Sequence, residues 1–276
     1  MRHLPNMRDA KLAQARNLKL ILQYDGTPFA GWQRQPQNPH QVTVQGELER
    51  VLSQVLQEPI EVIGAGRTDT GVHARMQVAN FFTTSKLSDD KIRYVLNRLL
   101  PKEISVQSAR TVSPSFHARF SATARTYRYF LTTEKRALEH RYKAFYPYPT
   151  LDIERMQRCA EAILGRHDFS SFCKAGSIVQ TKFCTVYAAS WKKIGKVFQF
   201  EITANRFLHS MVRLLVGTML QVGRGEYSYN DFQRIFAAHD VRQAGASAKP
   251  NGLFLWKIHY SAALKPQPFL SEENEE

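Results

Sequence analysis

The first half of the chain alternates short apolar strands with two amphipathic helices. Apolar residues repeat at helical spacing from Val44, directly after the capping hydroxyl of Thr43. A second helix is predicted after Ser88, where two aspartates add favourable anions, and Pro101 ends it. Strands are predicted at 18–24, 59–64, 76–82 and 104–111. The order of elements is therefore β-α-β-β-α-β.

The second half repeats this order with longer loops. A helical stripe begins at Ile153 and ends at Gly165. Gly195 marks the turn of a predicted hairpin, in which Phe198 and Phe200 alternate with polar residues. The remaining predictions are helices over 209–222 and 229–237 and strands over 125–132, 185–193, 196–203 and 253–260.

These patterns predict an α+β fold with two ferredoxin-like (split β-α-β) subdomains. We expect them to form a continuous antiparallel sheet with helices on one face and a central basic cleft. The predicted boundaries are 18–113 for the N-terminal α/β subdomain, which holds the candidate catalytic loop, and 114–262 for the C-terminal α/β subdomain. Residues 1–17 are predicted to form a basic N-terminal arm, and residues 263–276 a disordered tail.

Charge indicates the class of partner. Lys and Arg number 38 against 24 Asp and Glu, a formal net charge of +14. Such a field favours polyanions, with nucleic acid the leading partner and an anionic membrane the second. The longest strongly apolar segment, 214–220, is too short to span a bilayer, and the N-terminus lacks an apolar signal segment. We therefore expect a cytoplasmic protein with no membrane partner.

The cysteines indicate neither a disulfide framework nor a metal site. Cys159, Cys173 and Cys184 are odd in number and have neither the C-x-x-C spacing nor the matching histidines of a zinc site. No metal ligand set is predicted.

The chemistry is predicted in a glycine-punctuated loop. From residue 62 the chain reads VIGAGRTDTGVHARMQVANFF, a short strand, a polar loop and another strand. Gly64, Gly66 and Gly71 permit backbone angles and close approaches that a side chain forbids. Asp69 follows Arg67 by two positions, so in an extended segment both side chains point the same way. A guanidinium there favours an ionised carboxylate, which can act as nucleophile or base.

Two other interpretations of this loop stay open on spacing alone. Asp69 can close an Asx turn on the Gly71 amide, with Arg67 as a surface partner. Asp-Thr-Gly also occurs in aspartic proteases, but those sites need two carboxylates that share a proton, and this chain has one such string. The neighbouring Arg67 also opposes a shared proton, so the protease interpretation fits poorly.

The string GRTDTGVHA, residues 66–74, closely resembles the signature loop of the tRNA pseudouridine synthase A family. Other blocks resemble the family's blocks in the same order over residues 18 to 262, and the chain departs from the family pattern at 172–184. The blocks are YDGTPFAGWQRQP from Tyr24, VQGELERVL from Val44, FHARFSATARTYRY from Phe116, NRFLHSMVRLLVG from Asn205 and PNGLFLW from Pro250.

The resemblance implies a role for individual residues. Asp69 matches the catalytic carboxylate, and Arg67 the cation that pairs with it and holds the target nucleotide out of its stack. Tyr127 matches the aromatic residue stacked on the target base. Further substrate-binding residues implied by the matching blocks are Arg206, His209, Arg213 and Leu253.

The resemblance also implies an isomerase that converts uridine to pseudouridine in the anticodon stem-loop of tRNA, at uridines 38 to 40. It implies a homodimer and no cofactor. The carboxylate can add to the anomeric carbon or can take a proton from the neighbouring ribose carbon, and the sequence leaves both routes open. The alternatives are a family member with another RNA target and a non-catalytic RNA-binding protein.

Without the resemblance, several of these residues have structural interpretations. Tyr127 fits an ordinary strand tyrosine in an alternating segment. His73 and His117 are expected to be structural hydrogen-bonding residues, and His209 to cap or pack at the start of a helix.

Overall fold

The computed structural model describes residues 14–148 and 150–260, and it has a mixed α/β fold. Ten strands and five α-helices lie within these residues. The strands are β1 (Arg16–Tyr24), β2 (Ile63–Gly64), β3 (His73–Thr83), β4 (Ile104–Val112), β5 (Ala124–Thr132), β6 (Ala144–Phe145), β7 (Gly165–Asp168), β8 (Phe183–Ile194), β9 (Val197–Ala204) and β10 (Leu253–His259). The helices are α1 (Val44–Leu56), α2 (Asp89–Leu99), α3 (Ile153–Ala162), α4 (Met211–Gly223) and α5 (Tyr229–Ala237).

The chain forms two compact units. Their described parts are 14–123, 138–142 and 250–260 for unit 1, and 124–137, 143–148 and 150–249 for unit 2. The predicted tail at 263–276 lies outside the described residues, as does the predicted arm up to residue 13. Arg16 and Asn17, which we had placed in the arm, are the first residues of β1.

The sheet of unit 1 has the strand order β4-β1-β3-β10, with β2 also paired to β3. β1 is antiparallel to both β3 and β4, as predicted. β10 runs parallel to β3, with Phe254 opposite His73, so a purely antiparallel sheet was wrong. On one face Leu18, Leu20 and Leu22 are fully buried, which is the period-two pattern of a half-buried strand.

The helices of unit 1 begin where the capping residues predicted. The Thr43 side chain accepts a hydrogen bond from the Gly46 N–H at 3.2 Å, and Ser88 caps α2 through the Lys91 N–H. These hydroxyls satisfy donors that the first helical turn leaves unpaired. Both predicted helices are confirmed.

The sheet of unit 2 has the strand order β5-β9-β8-β7, with β6 paired to β5. The predicted hairpin is confirmed: β8 and β9 are antiparallel and turn at Gly195, which has a φ of +59°. Helix α4 begins at Met211 and not at His209, because Ser210 adopts the left-handed conformation with a φ of +60°. His209 therefore lies outside the helix.

The two units differ from the predicted halves, 18–113 and 114–262. β10 belongs to unit 1 because it pairs with β3, and residues 138–142 belong there too. The second half also contains the short strands β6 and β7, which the repeat of β-α-β-β-α-β did not predict. Within the residues that the structure describes, no helix has the length and apolar character needed to cross a membrane.

Candidate active site

Backbone hydrogen bonds fix the loop that carries Asp69, which connects β2 to β3. The Ala65 N–H donates to the Val78 carbonyl at 2.8 Å, and the Val72 N–H donates to the Asp69 carbonyl at 3.1 Å. Gly71 has a φ of +74°, the left-handed conformation that glycine adopts without a Cβ penalty. Asp69 thus begins a tight turn that leads directly into β3.

A second segment, residues 29–32, lies directly against this loop. The Trp32 N–H donates to the Thr68 carbonyl at 3.1 Å, and the Gly71 N–H donates to the Phe29 carbonyl at 3.4 Å. Gly31 has a φ of +94°, and a Cβ built there would lie 2.6 Å from the Thr68 carbonyl oxygen. Only glycine therefore allows this approach of the two backbones.

The buried side chain of Thr68 indicates the directions of its neighbours in the loop, Arg67 and Asp69. Its hydroxyl is buried and lies 2.8 Å from the hydroxyl of Tyr24, which is also buried. Thr68 therefore points into the core, whereas Arg67 is exposed and Asp69 is half-buried. The Asx-turn interpretation is wrong because the Gly71 amide bonds to Phe29 and not to the Asp69 side chain.

The predicted pair of Arg67 and Asp69 is not formed. Among residues 14–148 and 150–260, Arg67 makes no ion pair with a carboxylate. An exposed guanidinium gains little from such a pair, since ordering its long side chain costs entropy that a solvated ion pair scarcely offsets. The Arg67 side chain is therefore exposed at the surface of the loop.

His73 fixes the end of the loop. Its buried ring accepts a hydrogen bond from the Gly26 N–H at Nδ1 (3.0 Å) and lies 2.8 Å from the Arg141 carbonyl through Nε2. It also stacks on Phe254, with ring centroids 4.7 Å apart. Burial lowers the pKa of His73 from 6.5, although the Asp25 carboxylate opposes this. The structural interpretation of His73 is confirmed.

Leu253, a predicted substrate-binding residue, is the first residue of β10 and is buried. The nearby Pro250 lies against the loop, since a Cβ built on Gly71 would be 3.2 Å from Pro250 Cγ. Leu253 therefore sits in the core of unit 1 close to the segment that supports the turn.

Unit 2 holds the proposed base-stacking residue. Tyr127 lies on β5 with 8% of its surface exposed, and it packs edge-to-face on Phe207 with centroids 4.9 Å apart. The segment with Phe207 is fixed at Asn205, whose N–H donates to the Thr185 carbonyl at 3.0 Å. Asn205 Oδ1 also accepts from the Thr185 N–H at 2.9 Å. Tyr127 thus packs against a segment whose backbone is fixed.

The other predicted residues of unit 2 occupy different environments. Arg213 lies on α4 and donates from Nε to the Ala248 carbonyl at 2.8 Å, so it supports the segment before β10. His209 is exposed, and its carbonyl accepts from the Lys174 N–H at 3.0 Å. Arg206 is half-buried.

Sequence reasoning missed the residues that hold the loop. A Cβ on Gly26 would lie 2.0 Å from the Val72 carbonyl oxygen, and Gln77 donates to the Gly66 carbonyl at 2.8 Å. The available signal was the pair of glycines, Gly26 and Gly31, among the aromatic residues of YDGTPFAGW. That string shapes the loop that bears Asp69.

A family model and individual relatives all match this chain to tRNA pseudouridine synthases. A family model described as tRNA pseudouridine synthase matches residues 20–121 and 159–261. The protein named tRNA pseudouridine synthase A of Chlorobaculum tepidum is 45% identical over 245 residues, covering 89% of this chain and 98% of that protein. The protein of the same name from Brevibacillus brevis is 44% identical over 247 residues, covering 89% of this chain and all of that protein.

A solved structure also matches weakly. The match is to a chain in the crystal structure of the archaeal box H/ACA sRNP Nop10–Cbf5 complex. The alignment covers 79% of this protein and 47% of the matched chain, with 12% identity and a TM-score of 0.35. A likeness this slight supports no argument about function.

Proposed function

The chain belongs to the tRNA pseudouridine synthase family, and from this membership we propose that it isomerises uridine to pseudouridine in the anticodon stem-loop of tRNA, at uridines 38 to 40. The observation that carries the proposal is the family match over residues 20–121, which includes the loop bearing Asp69. The net charge of +14 fits a polyanionic substrate. The reaction needs no cofactor because it neither oxidises nor reduces the nucleoside.

Asp69 is the residue on which the chemistry depends. The N1–C1′ bond of the target uridine breaks, the detached uracil rotates, and a C5–C1′ bond forms in its place. C5 releases its proton to solvent and N1 takes one up, so the atoms balance. The carboxylate either adds to C1′ and is later displaced by C5, or takes a proton from C2′ to give a glycal and returns a proton to C2′ as the C5–C1′ bond forms. The half-buried position of Asp69 on a fixed loop supports both routes.

The other residues bind the substrate in this proposal. Tyr127 stacks on the target base, an interaction that contributes ~1 to 3 kcal/mol per base, and its packing on Phe207 limits the ordering cost. Arg67 contacts the RNA backbone and helps to keep the nucleotide flipped out, which costs a few kcal/mol to achieve. Additional substrate contacts are proposed for Arg206, His209, Arg213 and Leu253.

The proposal extends to architecture and assembly. We propose two ferredoxin-like subdomains around a basic cleft, a homodimer in which one tRNA contacts both subunits, and a cytoplasmic location. The subdomains rest on the repeated order of elements, the location on the apolar pattern of the sequence, and the homodimer on the resemblance to the family. The substrate itself is the part that an experiment can test first.

The test uses one tRNA and a set of its variants. The wild-type protein is incubated with transcripts in which uridines 38, 39 and 40 are replaced by cytidine, singly and together, and pseudouridine is mapped by chemical derivatisation and primer extension. We expect pseudouridine at whichever of positions 38, 39 and 40 still carries uridine. In the triple variant we expect no pseudouridine at these positions.

The outcomes separate the alternatives. Pseudouridine that forms only outside the anticodon arm would indicate a family member with a different RNA target. Binding of tRNA without any pseudouridine would indicate a non-catalytic RNA-binding protein, and either result would contradict the proposal.

A further inference from the structure

The turn of residues 116–121 in unit 1, called here the Phe120 turn, presents an aromatic ring to solvent. Phe120 is 76% exposed and lies between two exposed polar residues, Arg119 and Ser121. A single exposed apolar side chain is common on protein surfaces and indicates little by itself. What distinguishes this one is the number of buried contacts that fix the turn.

Two buried amide side chains anchor the turn to the sheet. Asn17 and Asn80 are fully buried, and Asn80 Nδ2 donates to Asn17 Oδ1 at 2.9 Å. Asn17 Nδ2 donates to the carbonyls of Ser113 at 3.0 Å and Phe116 at 2.8 Å. Asn80 Oδ1 accepts from the Ala118 N–H at 2.8 Å. Buried amides are stable only when paired, so this network fixes the backbone of the turn.

His117 fixes the ring of Phe120. Its Nδ1 accepts from the N–H groups of Arg119 and Phe120, both at 3.2 Å. Its carbonyl accepts from the Ser121 N–H at 2.9 Å, and its ring lies 4.3 Å from the Phe120 centroid. The aromatic ring thus lies against His117 and still leaves most of its surface exposed. Because it is already ordered, a ligand that stacks on it loses little free energy to ordering.

Cations surround the aromatic rings of this surface. The Arg119 Cζ is 5.5 Å from the Phe120 centroid. Lys19 Nζ is 5.5 Å from the ring of Phe116 and 6.0 Å from that of Tyr260. An ordered aromatic face beside positive charges suits a flat ring attached to a phosphate.

We propose that the Phe120 turn is a binding site for one unpaired base of the tRNA, which stacks on the exposed surface of Phe120 beside Arg119, with Lys19 over Phe116 of the same turn. This inference rests on the proposed function only in taking tRNA as the substrate. It adds a contact outside the loop that carries Asp69, and its role is affinity rather than chemistry.

A second copy of this chain fits the same surface less well. In a two-fold contact between identical patches, Arg119 and Lys19 would approach their own copies. Like charges at that distance repel, and the net charge of +14 adds to the repulsion. The polyanion is therefore the occupant that the charges favour.

The test compares four full-length proteins: wild type, Phe120→Ala, Phe120→Tyr and the control Ile194→Ala. Ile194 is the last residue of β8 in unit 2 and is 64% exposed, so its truncation removes a similar exposed apolar side chain elsewhere. We expect Phe120→Ala to bind tRNA roughly five- to a hundredfold more weakly. Phe120→Tyr and the control should stay within about twofold of wild type.

Two further measurements identify stacking. The dependence of log Kd on log salt should not change in Phe120→Ala, because a phenyl ring neutralises no phosphate. With enzyme in saturating excess, the single-turnover rate of tritium release from tRNA carrying [5-³H]uridine should stay within about twofold of wild type.

Three results would overturn the inference. The first is wild-type affinity in Phe120→Ala, and the second is a fall in the saturated rate without a fall in affinity. The third is loss of a dimer on sedimentation in parallel with weaker binding, which would make the surface an interface between copies. If the wild type itself releases no tritium, the proposed function fails, and the affinity comparison still decides this inference.

Discussion

Two glycine-containing loops, one in each unit, differ in how tightly the protein holds them. The loop of unit 1, residues 64–72, is so closely packed that a Cβ on Gly64 would lie 2.5 Å from the Trp32 ring. The loop of unit 2, residues 173–182, contains Gly176 with a φ of +74° and no atom within 4 Å of a built Cβ. Ile178 in that loop is fully exposed.

The comparison shows that glycine content does not reveal a loop's purpose, whereas backbone contacts do. In the first loop, glycines allow two segments to approach until they exchange hydrogen bonds, which fixes the position of Asp69. In the second, glycine only allows a turn. A reactive carboxylate must be held to within fractions of an ångström, while a loop without such a group can remain adaptable.

The largest effect expected from this comparison follows the substitution Gly31→Ala. Its Cβ would be 2.6 Å from the Thr68 carbonyl oxygen, so the loop must move by a sizeable part of an ångström. A displacement of about 1 Å at a reacting group can cost about a hundredfold in rate. We expect a fall of that size in kcat/KM for tritium release, in protein that remains folded by circular dichroism.

The matched control is Gly176→Ala, which has the same unfavourable sign of φ but open space around it. Left-handed strain should lower the free energy of unfolding by about 1 kcal/mol, and kcat/KM should stay within about twofold of wild type. Equal losses of activity in the two variants would remove the distinction between the loops.

A smaller effect is expected from pH, because His73 at the end of the first loop is buried. Burial lowers its pKa from 6.5, so near and below that pH the unfolded chain binds a proton that the folded protein does not. The contribution of His73 to the free energy of unfolding is therefore fully present above about pH 6.5 and is lost as the pH falls further. We expect the midpoint of urea unfolding to fall between pH 7.5 and pH 5.5.

The variant His73→Gln isolates this contribution. Its unfolding midpoint should be lower than that of wild type at pH 7.5 but less dependent on pH. Some dependence should remain, since burial also lowers the pKa of His259. A pH dependence identical to that of wild type would exclude His73 as its source.

Local signals made much of the fold predictable. Helix α5 begins and ends at the predicted residues, because Ser228 and Asp231 form a reciprocal cap at its start. Thr43 and Ser88 marked the N-termini of α1 and α2 through single capping hydroxyls, and Gly195 marked the hairpin. In each case the signal and the structure lie within a few residues of each other.

Contacts between distant residues were not predictable. Nothing near β10 in sequence indicates that it pairs in parallel with β3, a partner about 180 residues earlier by numbering. The roles of Gly26 and Gly31 depend on segments some forty residues away. Alternation around residue 67 indicated the directions of Arg67 and Asp69, but not that their ion pair would be missing.

The central claim is that the carboxylate of Asp69 performs the chemistry, and Asp69→Asn tests it most directly. Asparagine keeps the shape of the side chain and removes its charge, so tRNA affinity should stay within a few fold of wild type. Tritium release from tRNA carrying [5-³H]uridine, measured in single turnover with saturating enzyme, should be abolished. Release at the wild-type rate would contradict the account.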